Sequence, residues 1–161
     1  MKDLIDPEDF PFTEDEVYRA ERLLSPEADA RQMAADIASA GREAQAARIA
    51  AAAARARGSR NPAEINPPVM MLSGMYFAQL AALSPELEER VERYRLAGRA
   101  QARPSRLRNA IFHAGLPRGH DPTPEVLSKL AAEDAAEDAA WFSLRADLAA
   151  ELQRRNRSPV T

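Results

Sequence analysis

The sequence predicts an all-α protein, a helical bundle of about six helices, two of them long (about 26–57 and 124–155), with no sheet. Three observations predict it. A hydroxyl residue followed closely by an acid recurs where apolar periodicity begins, which is the chemistry of a helix start. Long runs repeat their apolar residues every three or four positions. No stretch alternates apolar and polar residues with β-branched enrichment, so no strand is expected.

Residues 1–12 form an acidic, proline-punctuated arm, expected either to be disordered or to cover a basic patch of the same chain. A single helical domain is expected over 13–157. Thr13 and Glu16 are spaced as a capping box, with Phe12 and Val17 placed as a hydrophobic staple, and open a helix over about 14–24. Ser25-Pro26-Glu27, Ser84-Pro85-Glu86 and Thr123-Pro124-Glu125 then repeat one formula. A hydroxyl caps the helix, proline takes the first helical position where its missing N–H costs nothing, and an acid meets the positive end of the dipole. Capping explains all three Ser/Thr-Pro pairs without phosphorylation.

Gly58 is expected to end the second helix, with Arg55 and Arg57 at its negative end, and 58–67 to be an internal linker. A third helix over about 68–83 is apolar nearly all round. It is shorter than the ~20 residues that span a bilayer, so it is expected as a core helix, and no membrane association is expected. Gly98 is expected to stop a fourth helix begun at Pro85. A short fifth, over about 105–114, closes at Gly115 and Pro117.

The second helix carries a heptad seam: Ala30, Met33, Ile37, Ala40, Ala44, Ala47, Ala51 and Ala54. Its small knobs bury little area each, at roughly 25 cal/mol per Å². Packing within the chain is expected, with a homodimer or larger structural oligomer through this seam as an alternative. The last helix is expected to turn Leu127, Leu130, Trp141, Leu144, Leu148 and Leu152 to one side. Its middle is the repeat Glu-Asp-Ala-Ala-Glu-Asp-Ala-Ala, residues 133–140, and Asp134 and Glu137 fall at the margin of the apolar face.

Net charge is −3, from 22 basic and 25 acidic residues, which argues against a protein that coats nucleic acid over its whole surface. Charge nevertheless comes in blocks of alternating sign. The densest is residues 90–120, where eight arginines face the single acid Glu92. Arg90, Arg93, Arg99, Arg103, Arg106 and Arg108 are the expected contact surface for a macromolecular partner, another protein first and nucleic acid as the alternative. In the second case Tyr94, Phe112 and His113 would add stacking. The rival is that these arginines dock on acids of the same chain, Glu133 to Asp138 or the 1–16 arm. Arginine preference itself says little, because 20 arginines beside two lysines and 34 alanines fit a GC-rich genome.

There is no cysteine, which excludes thiolate metal sites, disulfides and cysteine nucleophiles. Nucleotide-loop and zinc-protease motifs are absent. His113, His120 and Asp121 make a weak metal set, so no metal or cofactor is expected, and no catalytic residue stands out. The acidic start carries no secretory signal, so a cytoplasmic location is expected. A small non-enzymatic binding or adaptor protein follows, of the size of an accessory factor (assembly, packaging or host modulation) of a bacterial virus or mobile element.

Overall fold

The computed structural model of the chain describes residues 10–67 and 74–157. The first nine residues of the acidic arm, and positions 68–73 of the expected third helix, lie outside the described residues. The described residues are all-α, with six helices and no strand: α1 (Glu14–Glu21), α2 (Glu27–Ala56), α3 (Pro62–Ile65), α4 (Gly74–Ala81), α5 (Pro85–His113) and α6 (Pro124–Arg157). The chain forms two compact units, Met1–Tyr94 and Arg95–Thr161, and α5 contributes turns to each. Among the described residues no helix is long and apolar enough to cross a membrane.

In the first unit the local chemistry at α1 is complete. Thr13 Oγ1 accepts from the Glu16 N–H at 3.1 Å, and Glu16 Oε1 accepts from the Thr13 N–H at 3.0 Å. Phe12 and Val17, the two staple residues, are both buried. The seam of α2 is buried at Ala30, Ile37, Ala40, Ala44, Ala51 and Ala54, and Ala34, Ala38 and Gly41 widen it. This face is therefore covered within the chain. The small side chains let neighbours approach: a Cβ on Gly41 would lie 2.5 Å from the Phe10 ring, so Phe10 seats on bare backbone there. Phe10, Phe12, Phe77 and Tyr94 close over this region as an aromatic cluster, with ring centroids 5.4–6.1 Å apart. Gln79 on α4 is buried and donates to the Ala20 carbonyl at the end of α1, at 2.9 Å.

Three expectations about element ends need correction. Ser84 and Thr123 cap as expected, accepting from the Leu87 and Val126 N–H groups at 3.1 and 3.3 Å. Ser25 does not: Pro26, extended at ψ 154°, is the cap of α2, and no side chain caps it. The linker is not featureless either, since Asn61 caps the short helix α3. The largest difference is that the expected fourth and fifth helices are one helix, α5, which runs through both Gly98 and Pro104. The total of six comes out right because α3 replaces the helix lost by this fusion.

In the second unit α5 ends where the sequence says. Gly115 takes φ +75°, a conformation side chains resist, and the Leu116 N–H returns to the Ile111 carbonyl at 3.2 Å. Leu116 and Leu107 pack against a small core of Ala110, Ile111, Val126 and Leu130 that joins α5 to α6 beside the turn. Gly58 ends α2 in the same way, at φ +79°.

Candidate binding surface

The expected contact arginines divide between the two units. In the first unit Arg90 is held at three points. Its Nη1 lies 2.8 Å from Glu16 Oε2 and donates to the Pro11 carbonyl at 3.2 Å, and its Nη2 meets Glu86 at 3.1 Å. Burial would raise the Glu16 carboxyl, but the Thr13 N–H and the Arg90 guanidinium outweigh it and hold Glu16 below the ordinary range. Arg93 makes an exposed one-turn pair with Glu89 at 2.8 Å. Tyr94, expected as a stacking residue, is half-buried in the aromatic cluster.

In the second unit the arginines of α5 meet the acidic repeat of α6. Helical spacing explains the match. Residues four apart share a face, so the repeat at 133–140 puts Glu-Asp pairs on one side of α6 and alanine pairs on the other. Arg95, Arg99 and Arg103 follow the same interval on α5, and Arg106 is three residues further. Asp138 takes Arg95 at 2.7 Å and Arg99 at 2.6 Å. Asp134 takes Arg106 at 2.8 Å, with Arg99 and Arg103 each at 3.7 Å. Glu137 adds Arg99 at 3.4 Å, and Glu133 adds Arg106 at 3.1 Å. Hydrogen bonds from Arg99 and then Arg95 lower the Asp138 carboxyl to about 2. Asp134 is lowered chiefly by Arg106, and the guanidinium groups of Arg99 and Arg106 are raised in return. Arg95 also lies 5.8 Å from the Trp141 ring centre and 5.9 Å from that of Phe142.

Five of the six expected contact arginines are thus engaged by acids of the same chain: Arg90 by the 1–16 segment, Arg99, Arg103 and Arg106 by the 133–138 repeat, and Arg93 by Glu89 one turn before it on its own helix. The sixth, Arg108, is exposed and makes no ion pair among the described residues. One turn on, Phe112 is 75% exposed, its ring 5.4 Å from that of His113. His113, His120 and Asp121 do not assemble as a metal set, since no three metal-binding side chains come together among the described residues.

Leu127, expected on the apolar side of the last helix, is exposed, while Leu130, Trp141 and Leu148 of the same stripe are buried; Leu96 and Phe142 are exposed as well. Phe142 was legible as a neighbour of Trp141 one position off the buried stripe, but Leu96 sits among arginines and carries no signal. Comparisons with protein-family models, with curated proteins and with solved structures give no match to this chain.

Proposed function

We propose that this chain is a non-enzymatic helical binding protein that engages another protein through its second unit. The supporting observation is where uncovered apolar side chains fall. The exposed large hydrophobic residues among those described, Leu96, Phe112, Leu127 and Phe142, all belong to Arg95–Thr161. A single exposed leucine needs no explanation, but two phenylalanines at 75% and 51% exposure do. Aromatic anchors of this kind carry much of the energy of protein interfaces.

The charge arrangement supports the same reading. Because the acids of α6 turn toward α5, Ala135, Ala136, Ala139 and Ala140 stand exposed beside Phe142 without charge among them. Arg99, Arg103 and Arg106, expected to make the contact, instead brace α5 against α6, and the contact is assigned to the apolar face.

The test is comparative capture from extract of the native host, using the tagged chain and a Phe112→Ser/Phe142→Ser variant. Both positions are exposed, so the variant keeps its helical circular dichroism. The proposal expects a protein retained by the parent and depleted at least about ten-fold by the variant, the loss of two anchors near 1 kcal/mol or more each. Equal retention by both would remove it.

A further inference from the structure

With Arg90 and Arg93, the α5 arginines of the first unit, engaged by acids, the unpaired cations of that unit lie on and just after α2. Arg42 and Arg48 on α2, and Arg57 and Arg60 just past its end, are exposed and form no ion pair among the described residues. Arg55, between them, gives its guanidinium to the Ile65 carbonyl rather than to an acid. Over residues 42–60 the chain holds these five arginines against one acid, Glu43. The next acid along, Glu64, hydrogen-bonds to Ser59.

We infer that the C-terminal half of α2 is a second interaction surface, and that its partner is the phosphate backbone of double-stranded nucleic acid. Charge complementarity selects a polyanion: four guanidinium groups without carboxylates, flanking the exposed alanines of the helix, can each displace a counterion. Ala46, Ala50, Ala52, Ala53 and Ala56 are exposed between them and keep the helix surface low, so the backbone of a duplex can approach closely. An acidic protein is the less suitable partner, because a protein interface needs buried apolar anchors. Among the described residues, no large exposed hydrophobic lies in the first unit. The same lack of exposed aromatics removes the stacking platform that single strands use. Contacts to phosphate alone carry no sequence information, so binding is expected to be insensitive to base sequence.

This surface draws on residues of the first unit alone, and its test fails independently of the one for the second unit. The full chain is titrated against a labelled duplex of mixed sequence, with fluorescence anisotropy read from 50 to 200 mM salt. Four phosphate contacts predict a log–log slope of about −3.6 and a loss of about a hundred-fold in affinity over that range. The variant Arg42→Gln/Arg48→Gln/Arg57→Gln/Arg60→Gln changes exposed residues only and is expected to abolish most of that slope. Phe112→Ser/Phe142→Ser is expected to leave it unchanged. A flat salt response, no binding at 50 mM salt, or equal binding by the glutamine variant overturns the inference. Binding of poly-glutamate without binding of the duplex also overturns it, in favour of an acidic protein.

Discussion

Glu21 stands against the fold that holds it. It closes α1 with 2% of its surface exposed, and Oε1 has no hydrogen-bond partner among the described residues. Burial pushes its carboxyl above the ordinary range. An acid raised in this way binds its proton more tightly folded than unfolded. Its cost is absent below the unfolded value, grows as pH climbs to the folded one, and stands in full above it. Glu21→Gln should therefore stabilise the chain by about 1–2 kcal/mol at pH 7. The gain should vanish near pH 3, read as urea midpoints at both values. Nothing in the sequence marks this residue as buried, because it follows four charged residues on the same helix, Glu14, Asp15, Glu16 and Arg19. Gly41 is illegible for a related reason. From sequence it is a weak point worth about 1 kcal/mol in a helix, and only the Phe10 ring lying on it shows its use.

At the level of elements, what the sequence displays is local chemistry, and what it conceals is tertiary rescue. The capping box at Thr13, the caps at Ser84 and Thr123, and the glycine stops at Gly58 and Gly115 all act within one turn, and all are present. Gly98 and Pro104 show the opposite case. Alone they cost a helix about 1 and 3 kcal/mol, and a break there is the sound local expectation. The helix continues because Arg95, Arg99, Arg103 and Arg106 are fixed to α6 on either side of both residues. Complementary charge blocks were visible in the sequence, but not which block would meet which. Asp134 is the hub, with three arginines within 3.7 Å. Asp134→Ala should cost about 1–2 kcal/mol, between the values for exposed and buried pairs. The expected readout is faster amide exchange in residues 99–106, around Pro104. Unchanged exchange there would mean that the proline is tolerated for another reason.

Across the whole molecule, the two units should respond to acid with opposite signs at these groups. Asp138, lowered to about 2, and Asp134 give stability that is complete above their ordinary value near 3.8. That stability is lost as pH falls toward the folded values. Glu21 in the first unit sheds its cost earlier in the descent, as pH falls from its raised folded value to its ordinary 4.5, whereas Glu16, held low by Thr13 and Arg90, loses stability below 4.5. Acidification from pH 5 to pH 2.5 should thus lower the protection factors of residues 133–138, corrected for the slower intrinsic exchange in acid, before it lowers those along α2, as mass spectrometry of peptides would show. Simultaneous exposure of both segments would count against independent electrostatic control of the units. The tandem Glu-Asp-Ala-Ala also limits its own growth. Four residues overshoot one helical turn, so each added copy rotates about 40° from the last. A replication slip that lengthened the tract by one copy would swing the new carboxylates away from α5. Everything downstream, Trp141 and Leu148 included, would turn by the same angle and advance about 6 Å, so the tract can drift in composition far more freely than in length.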